Sequence, residues 1–564
     1  MILMIFLLIR GFYLHFTPAE SKSLKQIATS QYQRNISLSP YRGSIFDHRR
    51  EPLAISIKKP SLYINPKIFS PSQQQLKKIA HTLKISRKKL ALSANRKNYF
   101  AWIKRKISRT QRDIIMKMKL RGLYQILEPD RYYPLSSSIA QLIGWVGTDD
   151  NGLFGIERFY DRHLKGSLSN ISRSKDGHGN AIFLNRDEAI PEKSGHNIIL
   201  TIDRAIQEIT AQALVQGIKK AGAKGGHAIV SDPHTGKIIA IANYPTFNPN
   251  KKEKLKLSHT KNQAIANLYE PGSVIKPLVV AIALDEQSIT TQESFFCEKG
   301  YYQIDRTKIH DSHKHEHLTP SEIISQSSNI GIFKIATRLG KSKLFSGLVK
   351  FGISDRNLHF FPTEQASGKL LTPDRWNLTK FANISFGQGF ATTGIEITQA
   401  FNTIANGGLL MKPYVIDRIE TAEGKVIAFT KSSIIHRTLH PKTADIVKGF
   451  LEQTVKKGTG TQAAPSDYSA AGKTGTTEKY DPQIGAYSLT KRIASFIGFT
   501  PVDDPVLTIY VVIDEPGKKP YYGGIWAAPV FKEIAEKSLD YLNIAHDKRT
   551  EISATPGLLE KPPL

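Results

Sequence analysis

One cysteine, Cys297, is all that 564 residues contain, so the chain can build neither an internal disulfide nor a cysteine-based metal site. It has no GxxxxGK[ST] phosphate loop, no zinc-finger spacing and no aromatic-basic signature of an RNA-recognition sheet. Acidic residues are scarce: 49 Asp and Glu stand against 78 Lys and Arg, a formal net charge of +29. With no nucleic-acid feature beside it, that excess leaves anionic lipid and anionic cell-wall polymer as the expected partners and nucleic acid as an excluded one. Internal repeats and long low-complexity tracts are also missing. What remains, 40% hydrophobic and 9% aromatic residues, suits a folded chain of two to four domains.

One long apolar run is present, Met1 to Phe16 (MILMIFLLIRGFYLHF), broken only by Arg10, Gly11 and His15. It lacks the leading basic residues and the small-x-small close of a signal peptide, so residues 1–17 read as an uncleaved transmembrane anchor. Sixteen helical residues reach about 24 Å, against a hydrocarbon core of about 30 Å. That shortfall leaves room for anchor residues upstream, and Arg10 is expected to snorkel to an interface. No Lys or Arg precedes the run, so charge bias does not set its orientation.

The character of the chain changes near residue 195. From about Lys22 to Lys193 it is strongly basic, with clusters such as Arg87-Lys88-Lys89 that read as solvated helix faces. After it, Asn197 to Ile202 reads as a strand opening a compact α/β domain, and Asp203 can cap a helix carrying Ile206, Ile209, Ala213, Leu214 and Ile218 on one face. His227–Ser231 and Lys237–Asn243, joined by Asp232-Pro233-His234-Thr235-Gly236, predict a hairpin, as do Ala494–Thr500 and Val506–Asp514. Ala527 to Leu542 predicts a closing amphipathic helix, with Leu539 slightly off its apolar stripe. Strands at both ends and helices between them predict an α+β domain, an antiparallel sheet flanked by helices. Residues 546–564, rich in Pro and charge, read as a mobile tail.

Three short motifs follow in order within this second region. Ser273 and Lys276 form an S-x-x-K, a spacing that on a helix places both side chains on one face and lets an amine take the serine proton. That chemistry needs a neutral amine, so Lys276 is expected where burial and a second cation depress its pKa. Ser327-Ser328-Asn329 is an S-x-N, with the Ser327 hydroxyl as a proton relay and the Asn329 amide as a holder of substrate backbone. Lys473-Thr474-Gly475-Thr476 places a glycine where substrate backbone can approach a strand edge and a lysine beside the nucleophile. Each motif alone has an ordinary structural explanation, as a chance pair, a helix cap or a polar turn; together, in this order, they are specific.

The set S-x-x-K, S-x-N and KTG marks serine β-lactamases and penicillin-binding proteins. The chain resembles a class B penicillin-binding protein, most nearly the division-type transpeptidases of the FtsI family. Further blocks carry the likeness: Arg42-Gly43-Ser44-Ile45-Phe46-Asp47 with Pro52-Leu53-Ala54, Arg131-Tyr132-Tyr133-Pro134, Gly152 to Glu157, Asn243-Tyr244-Pro245, Ser385 to Gly389, and Tyr522-Gly523-Gly524 with Ala527 to Phe531. Arg50 departs from the pattern, standing where the family usually has glycine.

The resemblance implies a pedestal or dimerisation domain at 18–194 and a penicillin-binding transpeptidase domain at 195–545. It implies Ser273 as nucleophile, Lys276 as base, Ser327, Asn329 and Lys473 as catalytic partners, and Thr474, Gly475 and Thr476 as substrate-binding residues, with no cofactor and no metal. The substrates would be peptidoglycan stem peptides, mimicked by β-lactams. The partners would be a membrane-embedded glycosyltransferase and divisome proteins, with the catalytic domain on the outer side of the cytoplasmic membrane.

Other readings fit less well. A β-lactamase would need a deacylation device such as an ExxLN segment, which is missing, and a bifunctional class A enzyme would need glycosyltransferase blocks ahead of the pedestal. An acceptor-dependent assay separates a D,D-carboxypeptidase from a transpeptidase. An elongation-type transpeptidase, or a division scaffold with secondary catalysis, is the alternative within the family. The run from His310 to His317 (HDSHKHEH) reads as a solvated loop rather than a zinc site, and Cys297 as an incidental thiol.

Overall fold

The computed structural model describes residues 2–16, 33–38, 41–94, 99–166, 169–174, 194–251, 255–304, 307–355, 358–359, 365–481 and 485–548. The polar stretch after residue 16 and the expected tail beyond residue 548 lie outside them. Ile2–Phe16 is helical, with Ile2, Leu3, Met4, Phe6, Leu7, Leu8 and Ile9 exposed. Its 15 residues reach about 22 Å, and among the described residues no helix is long and apolar enough to cross a membrane.

Two sheets organise the rest. The first has seven strands, ordered Val426–Phe429, Ile416–Glu420, Asn197–Leu200, Ile45–Phe46 and Pro52–Ile64, with Ala101–Lys104 and Leu123–Tyr132 both paired to Pro52–Ile64. Asn197–Leu200, within the Asn197–Ile202 run read from the sequence as opening the second domain, pairs antiparallel with Ile416–Glu420 on one side and in parallel with Ile45–Phe46 on the other. The reason is tertiary: a four-residue strand that is apolar after Asn197 is satisfied by any buried sheet, and its parallel partner lies about 150 residues upstream.

Where those chain segments meet, three sequence blocks are bound by charge. Glu157, fully buried, accepts from Arg42 Nε at 2.6 Å and from Arg131 Nε at 2.6 Å, and both guanidinium groups are themselves buried. Arg42 also donates to the Glu157 carbonyl at 2.6 Å and to Asp161 Oδ1 at 2.6 Å. Arg50 takes φ +64°, the left-handed conformation that glycine adopts without cost, and its guanidinium closes on both carboxylate oxygens of Glu420 at 2.8 Å. The turn of the family pattern is therefore kept despite the substitution.

The second sheet carries the catalytic motifs. Its elements, with the helices around it, are α1 (Arg204–Ala221), β1 (Gly225–Ser231), β2 (Ile238–Tyr244), α2 (Lys276–Asp285), α3 (Pro320–Gln326), α4 (Asn329–Leu339), α5 (Gly394–Ala405), α6 (Pro441–Lys457), β3 (Ala471–Asp481), β4 (Ala486–Thr500), β5 (Leu507–Asp514) and α7 (Ala528–Tyr541). The strand order is β3-β4-β5-β1-β2, antiparallel throughout, so both expected hairpins form. Asp203 caps α1 as expected, accepting from Ala205 N at 2.9 Å and Ile206 N at 3.0 Å.

Alternation along the strands sorts side chains to two cores. Ala494, Phe496, Ile509, Val511 and Ile513 face α1 and α7, while Ile497, Phe499, Tyr510 and Val512 face α2, α5 and α6. Leu539 is fully buried against the sheet although it sits off the predicted stripe. From Leu278 to Ala283 α2 is apolar and buried on every side, which fixes the turn ahead of it in the core.

Candidate active site

The residues Gly272–Ile275 form a single 3-10 turn that runs directly into α2, so Ser273 is held at the mouth of a helix that cannot move without emptying the core. Gly272 has φ +62°, and a Cβ there would lie 2.2 Å from Thr477 Oγ1, so the turn requires glycine. Its N–H donates to Gly387 O at 2.9 Å, seating the Ser385–Gly389 block against the serine turn. Among the described residues the Ser273 hydroxyl has no hydrogen-bond partner.

Lys276 is completely buried one turn on. Its Nζ donates to Ser327 O at 2.6 Å, to Asn329 Oδ1 at 2.7 Å and to Ser327 Oγ at 3.3 Å. Burial lowers its pKa to about 7, against the opposing pull of Asp311. Lys473, also fully buried, donates to the same Ser327 Oγ at 3.1 Å and to Thr474 Oγ1 at 3.2 Å. Burial first, then the charge of Lys276, holds it well below the ordinary lysine value. A single hydroxyl thus joins two amines that are both biased toward neutrality.

Backbone geometry explains how Ser327 gets there. Thr319 and Glu322 form a capping box at the start of α3, and Ser327 closes the helix in the left-handed conformation at φ +62°. Ser328 then caps α4. Asp311 binds this junction, accepting from Ser328 Oγ at 2.5 Å, Asn329 N at 2.5 Å and Ile330 N at 3.1 Å. Both ends of the half-buried Asn329 amide are engaged: besides Lys276 on its oxygen, its Nδ2 donates to His310 O at 2.8 Å.

β3 is an edge strand, paired on one side with β4 through Lys473↔Ile497, Thr474↔Phe496, Gly475↔Ser495 and Thr476↔Ala494. A Cβ on Gly475 would meet Ser495 Oγ at 2.3 Å, Val274 Cγ1 at 3.0 Å and Pro271 O at 3.3 Å, so the strand lies directly against the serine turn. Thr474 Oγ1 is shared with Thr459 Oγ1 at 2.8 Å, and Thr476 Oγ1 accepts from Gly523 N at 3.2 Å, leaving its own O–H free to donate.

All eight residues singled out from the sequence therefore come together: Ser273 from a 3-10 turn and Lys276 from the start of the helix that follows it, Ser327 and Asn329 from a helix junction, and Lys473, Thr474, Gly475 and Thr476 from an edge strand. Sequence reasoning missed Thr459, which holds Thr474, and gave Asp311 no part in the site. It also missed Glu270, which accepts from Gly389 N at 2.9 Å and Tyr487 OH at 2.8 Å beside the serine turn. The Asp311 signal was hidden in a histidine-rich run.

Comparison with known proteins gives the same grouping. Residues 226–536 match the penicillin binding protein transpeptidase domain, and residues 37–200 the penicillin-binding protein dimerisation domain. Stage V sporulation protein D of Bacillus subtilis is 30% identical over 539 residues, covering 94% of this chain and 83% of that protein. The peptidoglycan D,D-transpeptidase FtsI of Escherichia coli K12 is 30% identical over 520 residues, covering 91% and 86%. Among solved structures, penicillin binding protein 3 of Mycobacterium tuberculosis complexed with aztreonam superposes with a TM-score of 0.71 at 24% identity, over 91% of this chain and 98% of that one. With its dimerisation domain preceding its transpeptidase domain, the chain belongs to the class B penicillin-binding proteins.

Proposed function

We propose that this protein is a peptidoglycan D,D-transpeptidase working through an acyl-serine intermediate. The observation that carries the reading is the Ser327 hydroxyl held between two buried lysines behind Ser273. Ser273 Oγ attacks the carbonyl of the penultimate D-alanine while Lys276 Nζ takes its proton. A proton returns through Ser327 to the departing amine, the peptide bond breaks, and D-alanine leaves. An amine of a neighbouring stem peptide then attacks the ester, restores the Ser273 hydroxyl and completes the cross-link. The N–H groups of Ser273 and Thr476 serve as the oxyanion hole, where one donor is typically worth about 10²–10³ in rate. Lys473, Thr474 and Thr476 receive the terminal carboxylate, the group a β-lactam mimics. Asn329 positions Lys276, and its second Nδ2 hydrogen serves substrate backbone.

The residue boundaries 18–194 and 195–545 for pedestal and catalytic domain, and 546–564 for a tail, belong to the same proposal. So does a single-pass anchor in the cytoplasmic membrane over residues 1–17, supported by the exposed apolar run Ile2–Ile9 at the start of the helix. A septal role, with divisome and glycosyltransferase partners, is supported by the likeness to FtsI and to a sporulation protein.

The test is gel labelling with a fluorescent penicillin. The chain is expected to give a stable covalent band that Ser273→Ala lacks, and a band that persists in folded Ser273→Ala would end the assignment. Asp311→Ala is expected to slow labelling by up to about 10²-fold without abolishing it, because it misplaces Ser327 and Asn329 without removing a reacting group. Rates equal to the parent would show that the junction holds itself.

A further inference from the structure

The geometry points to the outer edge of Leu123–Tyr132, at the far end of the first sheet, as the docking site for an extended acidic strand of another protein. This ten-residue strand pairs only with Pro52–Ile64 among the described residues, through Tyr124↔Tyr63, Gln125↔Leu62, Ile126↔Ser61 and Leu127↔Pro60. The N–H and C=O groups of residues 124–128 that point away from that partner meet no described hydrogen-bonding group. A long open edge is a template for a further strand, and natural proteins guard such edges with proline, lysine, bulges or covering elements.

Here the guard covers only half of the strand. Pro129 cannot donate to a ladder, and Glu128 and Asp130 are committed to Arg105 and Lys59. Residues 124–127 have no such protection: Tyr124, Ile126 and Leu127 are exposed, Leu127 to 54%, and Gln125 between them is exposed as well. Tyr124 is stacked on Tyr63 at 5.4 Å, so the strand presents a preformed surface. An added strand would bond along the free main chain and place alternate side chains on Tyr124 and Ile126.

Charge selects the occupant. Between residues 62 and 123 the chain has seventeen Lys or Arg and one acid, Asp113. Lys117, Lys119 and Arg121, all exposed, lead directly into the open edge. A second copy of this chain would bring two such lobes together and be repelled, whereas an acidic segment would be steered in.

The experiment uses the full chain in detergent and a fluorescein-labelled octapeptide of alternating valine and glutamate as probe, read by anisotropy. Saturable binding is expected, weakened by about tenfold or more in the double variant Lys117→Glu with Arg121→Glu and in Ile126→Asn with Leu127→Asn, and by added salt. Bound peptide should slow amide exchange at residues 124–128, which adsorption by charge alone would not do. Penicillin labelling unchanged in both variants shows that they are folded. The inference fails if the peptide does not bind, if the exposed-edge variant binds as well as the parent, if an alternating valine and lysine peptide binds equally, or if the same substitutions instead abolish self-association of the chain. Loss of penicillin labelling in the parent would count against the catalytic reading and leave this one standing.

Discussion

Replacing Lys276 by alanine is expected to cut the rate of Ser273 acylation about 10²–10⁴-fold, the range for loss of a general base. An ammonium at this position can donate to all three of its acceptors. Once neutral it keeps two N–H bonds, naturally the short ones to Ser327 O and Asn329 Oδ1, and its lone pair becomes free for a hydroxyl proton. Burial sets the lysine near pH 7, so the proton-accepting form is the minority below that pH and the majority above it. Acylation by a fluorescent penicillin should therefore rise with pH through about 7 and level off, while the residual rate of Lys276→Ala should lose that step. The rate is measured by stopping labelling at intervals across the pH series. A variant that acylates at the parental rate with the same pH step would move the base elsewhere, with Lys473 the remaining amine.

How much of this was legible in the sequence depends on the range over which each feature is decided. Local chemistry was readable: Asp203 ahead of a 3.6-residue period gave α1, turn residues between alternating runs gave β1–β2 and β4–β5, and the three motifs gave residues that the fold brings together. Features decided by distant partners were not. Asn197–Leu200 reads as a strand but nothing in its four residues says that Ile45–Phe46 is its neighbour. Leu539 looks misplaced on a helical wheel because a wheel assumes one buried stripe, while α7 is covered by the sheet and by neighbouring segments. Within the site, spacing placed Ser273 and Lys276 together, yet the shared hydroxyl of Ser327 depends on a left-handed residue between two helices and on Asp311 sixteen positions earlier. Arg50 is the reverse case: the departure was visible, and only the structure shows that its backbone still turns as glycine would, with Glu420 holding the side chain.

Glu157→Gln should be the most destabilising single change outside the site, by about 3–5 kcal/mol, the cost of leaving buried charges without their partner. The carboxylate stands between the Nε atoms of Arg42 and Arg131, each at 2.6 Å, and all three side chains are removed from solvent. Arg131 Nη2 already has no partner, so without the carboxylate that guanidinium keeps only the long Nη1 contacts to Ser56 Oγ at 3.3 Å and Arg42 O at 3.5 Å, neither of them to a charge. Arg42 would retain Asp161 and the Asp150 and Glu157 carbonyls, and the loss should be felt mainly through Arg131. The cost of desolvating three charges can exceed their attraction, so a packed apolar replacement of all three is expected to cost less than Glu157→Gln alone. Denaturant midpoints of the parent, the single variant and the triple Arg42→Met, Arg131→Met, Glu157→Leu variant measure the difference. If the single variant is as stable as the parent, the cluster holds water or a counter-ion in place of the lost charge. If the triple is the least stable, the network itself, rather than the absence of unpaired charge, joins residues 42, 131 and 157 into one body.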